Sequence, residues 1–336
     1  MPGSTRGSAL TDILAHGFPA EGVTAPPVSD EVLGIVAESV SPGRMVLRRF
    51  LRHRAALVSA VILGLLILAA FLAPWITPYE ANERVAESGA LLLAPSSQYW
   101  FGTDAIGRDL FSRIIWGGRI SLFIGISVAI SAALIGTIIG AVAGYTGGKL
   151  DNFLMRVTDG FLAFPLLVTL LIVRQIPDKQ PWASSILGPP GSIRLMVTLL
   201  SLVAWMVTAR IVRGVVLSLR EKEFIESARA LGASNLRIIG KHLVPNSLGP
   251  IIVAGTLTVA GAIALESTIS YFGFGVDPTT VSWGNLLSDS KGFIVQGKWW
   301  MVLFPSVALL LTILAVNFMG DGLRDAFDPK QSKERA

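Results

Sequence analysis

The sequence contains no cysteine and few charged residues, which make up 15% of its 336 residues. The absence of cysteine excludes a disulfide scaffold and thiolate metal sites. Soluble domains carry roughly 25% charged residues because their surfaces contact water. With 52% hydrophobic residues and a mean hydropathy of +0.62, this chain has too few polar side chains to cover a soluble fold of its length. We therefore predict an integral membrane protein.

Catalytic motifs are also missing from the sequence. Its three histidines, His16, His53 and His242, are far apart and match no metal-ligand spacing, and no G-x-S-x-G nucleophile motif occurs. The nearest approach to a phosphate-binding loop, residues 144–149, lacks the first glycine and the Ser/Thr that follows the lysine. We predict a chain that is not an enzyme and holds no metal or other cofactor. Any nucleotide would be bound by another subunit.

Uncharged runs in the sequence predict six membrane-spanning helices. A helix needs about 20 apolar residues to cross the bilayer. Two weaker runs are shorter than that and end at Arg174 and Arg210, whose side chains can reach the interface, so we extend both runs past these arginines. The four clear runs and then the two weaker ones are Ala55–Ile76, Ile120–Gly148, Leu243–Leu265, Trp299–Gly320, Gly160–Val173 and Leu195–Ala209.

Basic residues predict the orientation of the chain. Arginines cluster before the first span and again in residues 210–242, which places both segments and both termini in the cytoplasm by the positive-inside rule. The first span, which has no cleavage site before it, is predicted to be a retained anchor. The predicted segments are a disordered cytoplasmic extension over 1–43 with a short helix near residues 30–40, an anchor helix over 44–76, an extracytoplasmic segment over 77–119, a five-helix core over 120–320 with a cytoplasmic loop at 219–248, an irregular proline-containing outer loop over 174–194, and a cytoplasmic tail over 321–336.

The interiors of the predicted spans lack carboxylates. Asp159, Glu266 and Asp321 lie at span ends, whereas ion-coupled carriers place such groups inside spans. This distribution argues against a self-contained secondary transporter. Glu266, at the outer end of the fifth span, is the carboxylate that we select as a candidate contact of the translocation pathway.

Small residues recur at every fourth position of the second span, at Ala132, Gly136, Gly140 and Gly144. Such a stripe allows a neighbouring helix to approach closely. We interpret it as helix packing, without information about a substrate.

The cytoplasmic loop predicts two short helices joined at Gly232. Apolar residues recur at helical spacing on both sides of this glycine, and Ser234 is placed to cap the second helix. The pattern leaves two interpretations open. The loop either folds onto the bundle or membrane surface, or docks onto a cytoplasmic partner. The residues that form the pattern are Phe224, Ala228 and Leu231 before the glycine and Leu236, Ile239 and Leu243 after it.

This loop resembles the EAA loop of ABC importer permeases, which couples the permease to its ATPases. The family motif is Glu-Ala-Ala, three residues, Gly, nine residues and Ile-x-Leu-Pro. Ser227, His242 and Val244 depart from it and resemble the variant of the peptide subfamily. The resemblance implies ATPase coupling by Glu226, Ser227, Ala228, Leu231, Gly232, His242 and Pro245.

Four further stretches resemble segments of the dipeptide, oligopeptide and nickel permeases. The first stretch carries opposite charges at spacings of four. These charges either form pairs that brace a surface helix or contact the substrate or the binding protein, and Asp104 and Arg108 are the candidate contacts. With the loop, the stretches cover about residues 44–330. They are Phe101–Asp109, Gly144–Asp151 with Met155, Arg156 and Asp159, Ser270–Gly275 with Ser282–Gly284, and Asn317–Pro329.

The resemblance implies an all-α type I ABC importer permease fold with six transmembrane helices, and specifically the C-type permease of a peptide importer in a prokaryotic cytoplasmic membrane. The implied partners are a second homologous permease, two cytoplasmic ATPases that bind ATP and Mg, an extracytoplasmic substrate-binding protein and membrane lipid, but no nucleic acid. The alternatives are an importer for nickel or another small solute, an ion-coupled carrier, and a membrane anchor that scaffolds an enzyme complex.

Overall fold

The computed structural model describes residues 42–85, 91–163, 165–176 and 180–328. The predicted extension lies outside these ranges except for its last two residues, which begin a helix. Within the described residues the secondary structure is helical, with two isolated β-bridges in the segment before the long second span. The helices are α1 Pro42–Arg52, α2 Arg54–Phe71, α3 Ala73–Ile76, α4 Leu110–Thr146, α5 Gly148–Leu162, α6 Leu166–Val173, α7 Pro181–Leu187, α8 Ile193–Leu219, α9 Glu223–Ala230, α10 Asn235–Ile238, α11 Val244–Asn246, α12 Leu248–Tyr271, α13 Trp283–Asp289 and α14 Trp300–Phe327, with a π-helical turn at Ile239–Leu243.

Local sequence signals begin and end these helices. The Asp109 carboxylate caps α4 by accepting a 2.7 Å hydrogen bond from the Ser112 N–H, and Ser192 and Ser282 cap α8 and α13 in the same way. Gly147, with φ +65°, follows α4 in a conformation that favours glycine. The three N-terminal caps satisfy backbone N–H groups that the start of a helix leaves without partners.

Helix α4 is the central element of the bundle and packs along α8 through the stripe of small residues. Ala132, Gly136, Gly140 and Gly144 are all buried. A Cβ added at Gly136 would lie 2.7 Å from the Cβ of Thr208 in α8, which leaves no room for it. The predicted packing role of this stripe is therefore confirmed.

Five of the described helices are long and apolar enough to span a membrane, namely α2, α4, α8, α12 and α14. A sixth span requires α5 and α6 to be counted together, and these two helices meet at a bend of 86°. The extension past Arg210 is correct, because α8 continues to Leu219. Helix α6 ends at Val173, and the chain beyond Arg174 passes into residues 177–179, which lie outside the described residues, so the extension past Arg174 stays a prediction.

Several predicted boundaries are corrected by the structure. The anchor over 44–76 is three helices, because the chain is extended at His53 and α2 ends at Phe71, with Leu72 between it and α3. It is also part of the bundle, since α2 packs against α4 and α14. The segment 77–119 ends in the first turns of α4, and the outer loop 174–194 contains α7. The first seven residues of the predicted tail belong to α14, and residues 329–336 lie outside the described residues.

The two ends of the bundle have different structures. One end, which we call the loop end, holds α9–α11 together with the start of α2 and the last turns of α4, α8 and α14. The opposite end holds the segment before α4, the segment that contains α13, and the start of α14. Helix α4 has 37 residues and is roughly 55 Å long at 1.5 Å per residue, so it extends beyond the roughly 30 Å hydrocarbon layer.

Candidate coupling site

The turn at Gly232 joins the two short helices of the loop. Gly232 has φ +79°, and its N–H donates to the carbonyl of Arg229 at 3.0 Å. The next N–H, of Ala233, donates to the carbonyl of Ala228 at 3.1 Å. These two bonds form a Schellman motif, which satisfies the last carbonyls of α9 and requires a residue that tolerates positive φ. The predicted glycine break is thus present.

One face of the loop is anchored in the bundle by buried aliphatic side chains. Ile225 in α9, Ile238 in α10 and Leu243 in the π turn are each 0% exposed. They belong to one apolar cluster with Val212 and Val216 of α8. At about 25 cal/mol per Å2 of apolar surface, burying each such side chain contributes roughly 1.5–3 kcal/mol. The loop is therefore fastened to the end of α8.

The other face exposes large apolar side chains to solvent. Leu231 is 88% exposed and Leu236 is 84% exposed, on either side of the Gly232 turn, and Phe224 in α9 is 43% exposed. The sequence pattern placed these residues on one apolar side together with Leu243 and left open whether the bundle or a partner covers that side. In the structure Leu243 is buried, and Ile225 and Ile238, which lay outside the pattern, pack beside it. Two leucines displayed on a tight turn form an apolar surface that the bundle does not cover.

Polar contacts attach the loop to the ends of α4 and α8. The Tyr145 hydroxyl donates to Asn235 Oδ1 at 3.0 Å, and the Arg229 guanidinium lies 5.9 Å from the centre of the Tyr145 ring. Arg220 donates to the carbonyl of Gly144 at 3.2 Å. The Gly144–Asp151 stretch therefore lies beside the loop in space, although it is about 80 residues away in sequence. Tyr145 is a contact that the sequence analysis missed, because no spacing signal linked it to the loop.

An ion pair braces the neighbouring helices α5 and α8. Arg213 binds both carboxylate oxygens of Asp151, at 2.5 and 2.7 Å. Arg210 of α8 also pairs with Asp159 of α5. Bidentate pairs hold one geometry more firmly than single contacts do. The helix that carries the loop is thereby connected to α5 as well as to α4.

The remaining predicted coupling residues lie on or beside the exposed face. Glu226 and Ser227 are exposed on α9, and Ala228 is half-buried. Within the described residues, the Glu226 carboxylate forms no ion pair. Pro245 is exposed in α11, and His242 is half-buried with its carbonyl accepting a hydrogen bond from Asn246. Ser234 occupies the predicted cap position of α10, but its side chain makes no capping hydrogen bond.

Asp104, predicted to contact substrate or to brace a surface helix, lies at the opposite end of the bundle. Its side chain is buried and accepts hydrogen bonds from Arg108 Nε at 2.6 Å and from Arg113 Nη1 at 2.7 Å. Arg113 also pairs with Asp289 of α13 at 3.3 Å. The predicted pairing of Asp104 with Arg108 is present, but its placement on a surface helix is wrong, because Asp104 lies outside a helix and is 1% exposed, as is Arg113. Arg113 was not among the predicted site residues.

Glu266, the candidate pathway carboxylate, is enclosed inside the opposite end of the bundle at 0% exposure. Its Oε1 accepts hydrogen bonds of 2.9 Å from Ser270 and from Ser282, the cap of α13. Its Oε2 accepts a longer one, of 3.4 Å, from Ser121 of α4. The two motifs that resembled an outer loop, around residues 270–275 and 282–284, therefore meet at one carboxylate. Contact between Glu266 and a substrate stays a prediction.

A groove of about 280 Å3 runs between α8 and α12. Among the described residues, its lining includes Val207, Leu257, Leu265 and the hydroxyl of Thr258 and has no charged side chain. Such a surface offers no ionic contact with which to select a charged solute.

A helical bundle with several membrane-spanning lengths and a loop of short helices fastened to two of them is typical of a membrane permease. The family "binding-protein-dependent transport system inner membrane component" matches residues 136–333, and the "N-terminal TM domain of oligopeptide transport permease C" matches residues 41–95. The chain belongs to the first of these families and is an integral inner membrane protein.

Relatives in sequence include the dipeptide transport system permease protein DppC of Bacillus subtilis (strain 168), which is 38% identical over 84% of this chain and 84% of its own length. A Brucella suis biovar 1 protein that carries a provisional peptide permease name is 38% identical over 88% of this chain and 93% of its own length. Among solved structures, a chain of the MetNI methionine ABC transporter matches with a TM-score of 0.51 and 21% identity, over 64% of this chain and 97% of that chain. At that identity, the match supports the type I permease fold alone.

Proposed function

We propose that this chain is the permease subunit of an ATP-driven importer for dipeptides or oligopeptides, and that it receives energy through residues 219–248. The exposed pair Leu231 and Leu236 at the Gly232 turn is the observation that carries this proposal. An apolar turn on a fastened loop fits a cleft in a cytoplasmic partner better than it fits water. The names of the relatives support peptide as the cargo class.

In the proposed mechanism, the exposed face of the loop receives the motion and the fastened face passes it to the bundle. When two ATPase subunits bind ATP and Mg and close, they displace α9 and the Gly232 turn. Because Ile225 and Ile238 are packed against Val212 and Val216, the displacement carries the end of α8 with it. Helix α4 follows α8, since the glycine stripe holds the two in close contact. The ATPases thus bias the bundle between two packings.

The remaining partners follow from this function. A second permease would complete the pathway, and an extracytoplasmic binding protein would deliver and select the cargo, because the groove between α8 and α12 lacks charged groups. The basic residues near the loop end support a cytoplasmic location for that end and for both termini. No bond chemistry takes place on this chain.

The test is reconstitution of the purified subunits in proteoliposomes with a labelled dipeptide. We expect uptake that requires ATP, both permeases, the ATPases and the binding protein. Uptake by this chain alone under a proton or sodium gradient would contradict the proposal and favour a secondary carrier. ATP-driven uptake of nickel in place of peptide would support an ATP-driven importer but contradict the assignment of peptide as its cargo. The absence of any flux with all partners present would favour a scaffold.

A further inference from the structure

Helix α1 has a basic face and an apolar face immediately before the first membrane span. Residues 45–52 read Met-Val-Leu-Arg-Arg-Phe-Leu-Arg. At about 100° per residue, Leu47 and Leu51 lie on one side of the helix, and Arg48 and Arg52 point away from them. Both leucines are more than half exposed, at 57% and 53%. Apolar side chains exposed to water are unfavourable in free energy, so contact of this face with an apolar surface would stabilise the helix.

The structure places α1 at the boundary of the membrane. Helix α2 begins at Arg54, directly after the break at His53, and its 18 residues span roughly 27 Å, close to the thickness of the hydrocarbon layer. The charged residue at its first position marks the level of the headgroups. Helix α1 therefore lies at the depth of the lipid phosphates and the first acyl carbons.

Contacts with α14 hold α1 at this level. Arg49 Nη1 donates to the carbonyl of Asp328, at the end of α14, at 3.0 Å. Phe50 faces the same helix, since a Cβ added at Gly322 would lie 3.5 Å from the Phe50 ring. These contacts use Arg49 and Phe50 and leave the flanking Leu47 and Leu51 uncovered. Within the described residues, Arg48, Arg52 and Arg54 form no ion pair.

We propose that α1 is an interfacial anchor for anionic phospholipid, in which Leu47 and Leu51 insert among the acyl chains and Arg48, Arg52 and Arg54 bind lipid phosphates. The charge complementarity is direct, because three guanidinium groups that form no ion pair among the described residues meet a negatively charged leaflet. The apolar side alone buries little area, so both signals are needed for stable attachment. The proposal rests on the proposed cytoplasmic location of the loop end. It adds a lipid site that the transport function does not require.

The insertion of the apolar face is tested by fluorescence in the assembled transporter. The chain has no native cysteine, so Leu47→Cys creates one labelling site, and Met45→Cys, two residues away and on the opposite side, is the matched control. Each variant is labelled with a bimane before assembly with its partner subunits and placed in nanodiscs that contain lipids spin-labelled near the headgroup. We expect quenching of the Leu47 probe at least about threefold stronger than that of the Met45 probe. Equal quenching at both positions, or equal access of iodide from water, would overturn the insertion.

The charge requirement is tested with the same probe and a change of lipid. We expect 30% phosphatidylglycerol in phosphatidylcholine to increase quenching at position 47. The pair Arg48→Gln and Arg52→Gln should weaken the apparent affinity for phosphatidylglycerol by roughly 30-fold, and the pair Arg48→Lys and Arg52→Lys should retain most of it. Quenching that is independent of phosphatidylglycerol, or Lys variants that behave like the Gln variants, would overturn the anionic site. ATP-driven uptake measured in parallel separates the lipid-site proposal from the proposed transport function. Loss of uptake with intact quenching would count against the transport function alone.

Discussion

Arg113 Nη1 lies 2.7 Å from Asp104 Oδ2 in an ion pair that excludes solvent almost completely. The pair joins the first turn of α4 to the segment before it, and Arg113 extends the connection to Asp289 of α13. One side chain thereby ties together two chain segments that are about 180 residues apart. This arrangement orders the end of the bundle opposite the loop.

Removing Asp104 is expected to destabilise the protein strongly. Asp104→Ala would leave the buried Arg113 without its closest partner and should lower the free energy of unfolding by about 3–5 kcal/mol. The double variant Asp104→Leu with Arg113→Met, which removes both charges, should recover part of that loss. Chemical unfolding in detergent measures both effects. An Asp104→Ala protein as stable as the parent would contradict the structural role of the pair.

Bulk at the Gly232 turn is expected to uncouple transport. Gly232→Trp should abolish peptide uptake and substrate-stimulated ATPase activity while the protein still inserts, because the indole would occupy the space of the partner cleft. Gly292→Trp is the matched control, since Gly292 has φ +77°, is exposed and has no atom within 4 Å of an added Cβ. It should retain uptake. Equal loss in both variants would point to backbone strain and not to docking.

The exposed leucines are expected to matter for coupling and not for stability. Leu231→Ser and Leu236→Ser should leave the unfolding free energy within about 0.5 kcal/mol, because these side chains are largely in water. Both should reduce ATP-driven uptake severalfold. Ile238→Ser, at a buried position in the same loop, should instead lower stability by about 2–4 kcal/mol. Full uptake by the Leu231→Ser and Leu236→Ser double variant would remove the basis of the proposed docking surface.

Glu226 is expected to contribute to assembly with the ATPases. Its carboxylate is exposed on α9 and forms no ion pair within the described residues, so it is free to meet a basic group of a partner. Glu226→Ala should reduce the yield of copurified ATPase subunits, and the deficit relative to the parent should be smaller at high salt, where screening already weakens the ionic contact of the parent. Glu80→Ala, an exposed carboxylate at the opposite end, serves as the control. Unchanged yield for Glu226→Ala would count against this contact.

A large side chain in the glycine stripe of α4 is expected to lower the stability of the protein. A Cβ added at Gly140 would meet the backbone of Ala209 and would lie 3.0 Å from the Cβ of Val212, so Gly140→Leu should separate α4 from α8 and lower the unfolding free energy by about 1–3 kcal/mol. Gly255→Leu in α12 has open space at the same point and should have little effect. Unfolding in detergent compares the two, and similar stabilities would contradict the packing role.

Local and compositional signals were sufficient for much of the fold. Charge depletion predicted a membrane protein, and uncharged runs located α2, α4, α8, α12 and α14 to within several residues at most ends. The Gly232 break followed from glycine's tolerance of positive φ, which depends on a single residue and its neighbours. The close approach of α4 and α8 followed from the spacing of small residues, which is also a local property.

Other features depended on distant contacts. The helical pattern of Phe224, Leu231 and Leu236 marked an apolar side of the loop but did not tell whether the bundle covers that side. Coverage depends on how the loop is oriented between the end of α8 and the start of α12. Asp104 and Arg108 resembled a surface pair at helical spacing, yet Arg113 and Asp289 complete a buried network. Burial is a property of all the neighbours together, so spacing within one segment does not reveal it.

The sequence by itself determined that the chain enters a membrane, where its spans lie and which loop turns at a glycine, since these follow from hydropathy and from the conformational freedom of single residues. The tertiary structure alone decided which side of that loop is exposed and that Glu266 and Asp104 are enclosed. It also decided that Arg48 and Arg52 lie beside exposed leucines and form no ion pair with the part of the chain that the structure describes. Exposure and pairing arise from segments far apart in the chain, and only their packing brings these groups together or leaves them free.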